Sequence, residues 1–254
     1  MSSRDAILNR IRGALAQDTL PFPSRTPSPL DGKSRSPVTT LVGDQNALAI
    51  RFGKELEKLS GSYEIGSSLT AARLMCISRI RSWIEEDEKR QKGLMLETGQ
   101  KNHILCWKPE ALGIDGLLEA LEVLDLVLVS PEELRSEESR QAVRFIRYGL
   151  TSVTAACAST GTMVMASSTV GTSRSASLLP YHHVALIPFS RLYPSFETWL
   201  AEMRQQGKLV QQMRQNANIS FISGPSKSAD IEGKLTLGVH GPRHVHAILF
   251  DDIE

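Results

Sequence analysis

The sequence has few cysteines, and this scarcity excludes two classes of protein. Only three cysteines occur among 254 residues. Cys76, Cys106 and Cys157 stand far apart in apolar runs, so neither a disulfide framework nor a C-x-x-C metal motif is available. We therefore exclude a self-contained iron–sulfur or structural zinc protein. We expect the chain to bind no metal and no cofactor of its own.

Long hydrophobic runs and an excess of one charge are also missing. No stretch reaches the roughly 18 apolar residues of a membrane span, and the N-terminus Met-Ser-Ser-Arg-Asp lacks the apolar core of a signal peptide. We therefore expect a cytoplasmic protein with no membrane span. Lys and Arg number 29 against 28 Asp and Glu, a net charge of +1. This balance removes the basic surface that a nucleic-acid partner needs.

Two contrasting segments stand at the N-terminus. Between residues 3 and 16 apolar side chains recur at helical spacing, which predicts an amphipathic helix with one apolar stripe. The stripe consists of Ile7, Leu8, Ile11 and Leu15. Residues 21–37 contain five of the 12 prolines and favour an extended arm. We assign 1–38 to this helix and Pro-rich arm, which docks on a partner or on a second copy of the chain, and 39–254 to a compact domain.

In the compact domain short apolar runs alternate with helical patterns. The candidate strands are Gly93–Leu96, Ile104–Trp107, Leu126–Val129, Ser152–Ala158, Thr162–Ala166, Val184–Ile187, Ile219–Ile222 and Val245–Phe250. Thr151–Ala166 also fits an antiparallel hairpin that turns at Ser159-Thr160-Gly161. The alternation predicts an α/β protein: an open, mixed, mainly parallel sheet flanked by helices, with ligands at the carboxyl ends of the strands.

Local signals place several helices among these strands. Asp44 can cap the first. Ser130-Pro131-Glu132-Glu133 is a capping box with Pro at the first helical position, and Gly149 follows the last turn of that helix. Another helix is predicted from Pro194 to Gln206. A further one is expected to start within Ser226–Ala229.

Three polar segments with glycine follow predicted strands. They span residues 158–162, 223–230 and 238–243. An open α/β sheet gathers such loops at one edge, where binding groups concentrate. In the second segment Gly224 permits a sharp turn, and Ser226 or Ser228 caps the predicted helix, whose free N–H groups suit a carboxylate or phosphate. The same serines also suit a helix that binds nothing, with Asp230 complementing its dipole.

The third segment places an imidazole and a guanidinium on one constrained turn. His240 is the candidate catalytic acid–base and Arg243 the candidate anion anchor, because imidazole exchanges protons near neutral pH and guanidinium grips carboxylates. The same sequence pattern also fits a histidine that is hydrogen-bonded within the turn and an arginine that is exposed to solvent, neither with a role in binding. A hydrolase triad of Ser226, His240 and Asp230 lacks the G-x-S-x-G elbow. The predicted anion- or substrate-binding set is Thr160, Gly161, Thr162, Gly224, Ser226, Ser228, Asp230 and Arg243.

Four further histidines raise the question of a metal. His244 and His246 are two residues apart on a predicted strand and therefore face one way, and His182 or His183 could add a ligand. No carboxylate or cysteine stands at ligand spacing beside them. The sequence therefore predicts no metal site.

The C-terminal segments resemble paired motifs of a known family. They are Ile-Ser-Gly-Pro-Ser-Lys-Ser-Ala-Asp-Ile-Glu at 222–232 and Gly-Val-His-Gly-Pro-Arg at 238–243, preceded in family order by Thr160-Gly161-Thr162, Leu179-Pro180 and His182-His183-Val184. The family is that of lactate utilization protein C, or the LUD domain. The resemblance covers most of residues 40–254, and the N-terminal helix with a Pro-rich arm is also similar.

This resemblance implies a fold similar to that of CoA transferases and ribose-phosphate isomerases, and a role in bacterial L-lactate catabolism. In that family the C member lacks cluster cysteines, as this chain does, and acts beside two iron–sulfur subunits in oxidising L-lactate to pyruvate. Iron–sulfur clusters are then expected only in the partner subunits. The family commonly has an acidic residue before the Thr-Gly pair, where this chain has Ser159. If that carboxylate is catalytic in the family, activity here is altered.

Two functions therefore stay open. In the first the chain is a subunit of a lactate-oxidising complex and has no redox centre of its own. It contributes either a cleft that binds a small carboxylate or phosphate, or an assembly surface. In the second it is an independent isomerase or acyl- or CoA-transfer enzyme that uses the same cleft on a small anionic substrate.

Overall fold

The structure of the chain is a computed structural model, and it describes most of the sequence. The described residues are 3–16, 43–91, 102–130, 136–167, 171–216, 218–229 and 235–252. Several sequence predictions lie outside them: the Pro-rich arm, the strand Gly93–Leu96, the Pro131–Glu133 part of the capping box, and Asp230.

The chain divides into two units, residues 1–38 and residues 39–254. In the first unit the structure describes helix α1 (Ser3–Leu15), on which Ile7 and Ile11 are exposed. The apolar stripe of this helix therefore has two side chains in contact with water.

The second unit alternates helices and strands. Its helices are α2 (Gln45–Lys58), α3 (Leu69–Gln91), α4 (Pro109–Leu112), α5 (Leu117–Glu122), α6 (Glu137–Val143), α7 (Ser175–Leu178), α8 (Phe196–Gln205) and α9 (Leu209–Gln215), with a 3-10 helix at Phe189–Arg191. Its strands are β1 (Ser62–Gly66), β2 (His103–Cys106), β3 (Val127–Val129), β4 (Tyr148–Ser152), β5 (Ala155–Cys157), β6 (Thr162–Ser167), β7 (His182–Pro188), β8 (Leu192–Tyr193), β9 (Asn218–Ile222), β10 (Lys227–Ala229), β11 (Leu235–Leu237) and β12 (His244–Phe250). The part of the chain that the structure describes contains no helix long and apolar enough to cross a membrane.

A six-stranded sheet forms the centre of this unit. Its order is β1-β12-β7-β4-β2-β3, and every neighbouring pair is parallel. All residues of β7 are buried because helices cover both faces of the sheet, as parallel strands require. On one face Trp83 of α3 stacks against His182. On the other face Gly149 lies so close to Ala176 of α7 that a Cβ there would be 2.2 Å from the Ala176 carbonyl oxygen.

A second sheet contains the predicted hairpin. Its order is β8-β5-β6-β9, and β5 pairs antiparallel with β6 in the register Cys157↔Thr162. The turn between them is therefore where the sequence predicts it, at residues 159–161. The hairpin itself is shorter than predicted, because Thr151 and Ser152 belong to β4 of the parallel sheet. The α/β class with a mainly parallel sheet flanked by helices is confirmed, and the antiparallel pairs occupy separate sheets.

The predicted helix starting within Ser226–Ala229 is wrong. Lys227–Ala229 forms β10, which pairs antiparallel with β11. Ser226 N donates to the Pro242 carbonyl at 2.8 Å, and Gly238 N donates to the Ser226 carbonyl at 2.9 Å. These long-range bonds hold the segment in an extended conformation and override its local capping signal. The N–H donors of a helix N-terminus are therefore not available to this loop.

Helix termini elsewhere follow the sequence in part. Asp44 caps α2 as predicted, accepting a hydrogen bond from Ala47 N at 2.8 Å. Helix α6 begins later than its capping box suggests, because Ser136 is its cap and accepts from Ser139 N at 3.0 Å. Gly149, predicted to end that helix, lies inside β4 instead.

Candidate functional site

A cleft lies where the parallel sheet changes the direction of its connections. After β2 the chain moves outward to β3 at one edge, whereas after β4 it continues toward β7 on the other side. Such a switch point leaves a crevice outside the carboxyl ends of the two strands. A cavity of about 440 Å³ occurs there, lined by Trp107 directly after β2 and by Val153 directly after β4. We call it the carboxyl-edge cleft.

The lining of this cleft favours anions. Its described lining residues are Trp107, Ala111, Val153, Thr154, Thr172, Arg191, Tyr193, Trp199, Met203, Gln206, Lys208 and Gln212. They include two cations, Arg191 and Lys208, together with hydroxyl and amide groups, and none of these lining residues is acidic. A guanidinium and an ammonium beside neutral donors suit a carboxylate or phosphate.

Arg191 is held in place by the protein backbone. Its Nη1 donates to the Val153 carbonyl at 2.7 Å and to Ser152 Oγ at 3.3 Å. Ser152 Oγ in turn donates to the Leu186 carbonyl at 3.1 Å, which fixes the hydroxyl. A guanidinium restrained in this way loses less conformational entropy when it binds a ligand.

The turn that presents Arg191 is itself tethered. Asp252, which follows β12, accepts from Ser190 N at 2.9 Å and from Ser190 Oγ at 2.5 Å. This carboxylate therefore anchors the 3-10 helix Phe189–Arg191 to the end of a central strand.

Tyr193 adds a protonated phenol to the cleft. Burial raises its pKa, and the nearby Glu202 carboxylate, 3.5 Å from the phenol oxygen, raises it further. The hydroxyl therefore keeps its proton at neutral pH and donates a hydrogen bond to Glu202 Oε1.

The predicted site residues at the two glycine turns meet one another. Thr160 Oγ1 donates to Thr162 Oγ1 at 2.8 Å, and Thr162 Oγ1 lies 2.8 Å from Ser223 Oγ. Gly161 and Gly224 have positive φ angles of 61° and 82°. A Cβ at Gly161 would be 2.6 Å from the backbone nitrogen of Leu56, and one at Gly224 would be 2.8 Å from the Leu59 carbonyl oxygen. Both glycines thus let their loops pack against the end of α2.

The other predicted site residues lie at a second place. Ser226 is joined by the bonds described above to the 238–243 loop, in which His240 and Arg243 are exposed. Arg243 directly precedes β12, at the amino edge of the parallel sheet, and its guanidinium stacks over the Tyr181 ring at 6.0 Å. Ser228 lies in β10. None of the predicted site residues is among the described residues that line the carboxyl-edge cleft.

Sequence reasoning missed Arg191 and Lys208. The signal for Arg191 was its place in Pro-Phe-Ser-Arg, directly after the buried strand β7. A polar residue at the carboxyl end of a parallel strand is a candidate ligand-binding residue by the rule that was applied to other loops. Lys208 precedes a short helix and had no comparable signal.

The amino edge of the same sheet contains a different polar group, which we call the amino-edge cluster: Asp87, Arg147, Tyr148 and His182. Asp87 Oδ2 accepts from Arg147 Nε at 2.7 Å and from the Tyr148 hydroxyl at 3.1 Å. His182 Nε2 lies 3.3 Å from the same oxygen. Burial alone would raise the pKa of Asp87, but hydrogen bonds from His182 and Arg147 outweigh it and hold that pKa well below its usual range.

The histidines predicted not to bind metal are packed among protein groups. His182 stacks on His244 with ring centroids 4.9 Å apart, His183 Nε2 lies 2.9 Å from Thr151 Oγ1, and His246 Nδ1 lies 2.8 Å from Ser62 Oγ. Within the described ranges there is no group of three or more His, Cys, Asp or Glu residues that could hold a metal.

The three cysteines are buried and unpaired. Burial raises the pKa of Cys76 and of Cys106 to about 12 and that of Cys157 to about 11. Their sulfurs are therefore protonated at neutral pH, which is the form that does not ligate metals.

Fold and cleft together define an α/β protein with an anion-favouring cleft at the carboxyl ends of parallel strands. Residues 82–250 match the family model of the LUD domain. Because this match covers more than half of the chain, the protein belongs to the LUD domain family, and the resemblance seen in the sequence is confirmed.

Curated relatives of the chain share one name. Lactate utilization protein C of Halalkalibacterium halodurans is 34% identical over 163 residues, which cover 62% of this chain and 66% of that protein. The protein of the same name from Macrococcus caseolyticus is 36% identical over 160 residues, 62% of this chain and 65% of that one. That of Shouchella clausii is 39% identical over 121 residues, 46% of this chain and 49% of that one. The matched stretch thus spans less than two thirds of each relative.

One solved structure is similar in outline. A DUF162 family protein from Deinococcus radiodurans aligns with 82% of this chain and 99% of its own, at 16% identity and a TM-score of 0.49.

Proposed function

We propose that this protein takes part in bacterial L-lactate utilization as a subunit without an iron–sulfur cluster. In this role it binds the carboxylate or phosphate group of an anionic ligand in the carboxyl-edge cleft and acts beside cluster-bearing subunits that oxidise L-lactate to pyruvate. Membership of the LUD domain family and the name shared by the relatives support the pathway. The two cations in the lining of the cleft support an anionic ligand.

The observation that carries the ligand class is the geometry of Arg191. Its guanidinium is restrained by the Val153 carbonyl and Ser152 at an open cleft whose described lining contains no carboxylate. A cation without an acidic neighbour in its cleft keeps its electrostatic attraction for an incoming anion. A carboxylate or a phosphate group has the charge that such a cation attracts.

The same lining favours binding over independent catalysis. Its described residues include no histidine, carboxylate or cysteine, the side chains that most often act as general base or nucleophile. Tyr193 and Lys208 could exchange protons there, but the Tyr193 hydroxyl already donates to Glu202. We therefore assign the redox chemistry to partner subunits and the binding and orientation of the anion to this chain.

Complementation in the source bacterium tests this proposal. We expect a strain lacking the chain to lose growth on L-lactate and to regain it with the unchanged protein. Arg191→Met should fail to restore growth, whereas Arg204→Met, which removes an exposed charge from α8, should restore it. The tagged chain should copurify with iron–sulfur subunits. Normal growth of the deletion strain on L-lactate would refute the proposal, and turnover of a sugar phosphate or acyl-CoA by the purified chain would favour the independent enzyme.

The anion site predicted around His240 and Arg243 stays a prediction. The two side chains are exposed on one loop, beside Ser226. Because the helix expected to supply N–H donors there is absent, that site depends on side chains alone.

A further inference from the structure

The carboxyl-edge cleft is too large for lactate alone. L-Lactate has six non-hydrogen atoms and occupies on the order of 100 Å³, the share of three or four water molecules in the liquid. The cleft has about 440 Å³, which lies within the roughly 300–1,000 Å³ typical of sites for much larger organic ligands. A bound lactate would leave most of the space to water.

The lining of the cleft contains both charged and apolar side chains. Arg191 and Lys208 provide positive charge, whereas Trp107, Ala111, Val153, Trp199 and Met203 provide apolar atoms. Trp107 and Trp199 are both 2% exposed and offer little accessible surface, whereas the half-buried Ala111 and Met203 are more accessible. Apolar surface that is wetted in the free protein binds an apolar group favourably, because that group displaces water.

We infer that the natural ligand of this cleft is an anion attached to an uncharged apolar or aromatic body, and that it is therefore larger than lactate. The carboxylate or phosphate contacts Arg191, and the body lies against Ala111 and Met203. This inference rests on the proposed function only in using the same cleft, and it names the class of molecule that the cleft takes.

Binding measurements on the purified full chain test the inference. Titration calorimetry compares inorganic phosphate, phenyl phosphate and 1-naphthyl phosphate, which share one charged group and differ in the body. We expect affinity to rise at least tenfold from phosphate to 1-naphthyl phosphate. Neutral 1-naphthol should bind at least tenfold more weakly than 1-naphthyl phosphate, because it lacks the group that Arg191 holds.

Two variants separate the body from the charge. Ala111→Phe fills the space that the body would occupy and should weaken 1-naphthyl phosphate at least tenfold while leaving phosphate within twofold. Ala201→Phe, on the exposed side of α8, is the matched control and should change neither. Met203→Gln serves the same purpose if Ala111→Phe lowers the melting temperature strongly. Arg191→Met should weaken phosphate and 1-naphthyl phosphate together.

Each outcome decides a separate point. Equal affinities for the three phosphates, or an Ala111→Phe and a Met203→Gln variant that bind 1-naphthyl phosphate normally, would overturn the inference and leave the growth test of the proposed function untouched. Failure of every anion to bind would remove the cleft from both proposals. If Arg191→Met fails to restore growth on L-lactate but binds phosphate normally, the role of the cleft in the proposed function would be wrong.

Discussion

The two edges of the parallel sheet use charge in opposite ways. At the amino edge Asp87 is buried and contacts Arg147, Tyr148 and His182, so its charge is balanced inside the protein. At the carboxyl edge Arg191 is held by neutral oxygen atoms, and the described lining of its cleft has no carboxylate. Charges that balance one another stabilise a fold, whereas a restrained cation in an open cleft is arranged to meet a ligand. Substitutions at the two edges should therefore separate these two roles.

Asp87→Ala should have the largest effect, and it should be on stability. The substitution leaves the partly exposed Arg147 and the buried Tyr148 hydroxyl without their shared acceptor, and the loss of these hydrogen bonds costs about 3 kcal/mol. Urea denaturation should show this loss in the free energy of unfolding. Glu88→Ala, exposed on the same helix, is the control and should change it by less than about 0.5 kcal/mol. If Asp87→Ala instead weakened phosphate binding at full stability, the division between the two edges would be wrong.

Stability should also fall as the pH is lowered from 6.5 toward 4. Burial lowers the pKa of His183 to about 4, and burial together with Arg79 lowers that of His246 to about 3. Between those values and 6.5 the unfolded chain binds protons that the folded chain does not. The free energy of unfolding therefore falls as the pH is lowered, by roughly 2 kcal/mol per pH unit. Denaturation curves at several pH values measure the slope. His246→Gln should reduce the slope, and an unchanged slope would contradict the prediction.

Arg191→Met should act more on binding than on folding. A hydrogen bond to a charged group contributes about 1.5–3 kcal/mol, so phosphate affinity should fall by roughly 10- to 100-fold. Calorimetry measures the affinity, and urea denaturation should show a smaller loss of about 1 kcal/mol, because the Val153 carbonyl and Ser152 lose their donor. Arg191→Lys keeps the charge and loses the planar fork of the guanidinium. Its phosphate affinity should lie between those of the unchanged protein and Arg191→Met.

Asp252→Ala should have a smaller effect on the same measurement. It removes the acceptor of both hydrogen bonds from Ser190 and so frees the turn that presents Arg191. We expect phosphate affinity to fall by about 1 kcal/mol, the usual net contribution of a hydrogen bond. Asp115→Ala, an exposed carboxyl on another loop, should have no effect on affinity. An Asp252→Ala protein with unchanged affinity would show that the turn holds Arg191 without this tether.

Arg243→Ala should have the smallest effect. The side chain is exposed and stacks on Tyr181, so its removal should change stability by less than about 0.5 kcal/mol. If the carboxyl-edge cleft is the anion site, phosphate affinity should also stay within twofold. A large loss of affinity would instead support the site predicted from the sequence around His240.

Local patterns predicted the elements that local forces determine. The apolar runs of β7 and β12, the Asp44 cap and the turn at residues 159–161 each depend on a few consecutive residues, and each occurs in the structure. The segment Ser226–Ala229 also had a local helix signal, yet hydrogen bonds to residues 235–242 keep it extended. Long-range pairing of this kind leaves no mark in the segment itself.

The residues that line the carboxyl-edge cleft could not be predicted because five separate segments supply them. Trp107 follows β2, Val153 follows β4, Arg191 follows β7, and Lys208 lies between α8 and α9. No one of these segments has a motif. The amino-edge cluster was missed for the same reason, since Asp87 and His182 are 95 residues apart in the chain.

The three buried cysteines give the protein built-in reporters of its own opening. A thiol with a raised pKa and no access to solvent reacts with an alkylating or disulfide reagent only when the segment around it opens. Cys76 lies in α3 and Cys106 in the parallel sheet, whereas Cys157 lies in the hairpin of the second sheet. Labelling rates followed by mass spectrometry would therefore show whether the two sheets open together or whether the hairpin opens first.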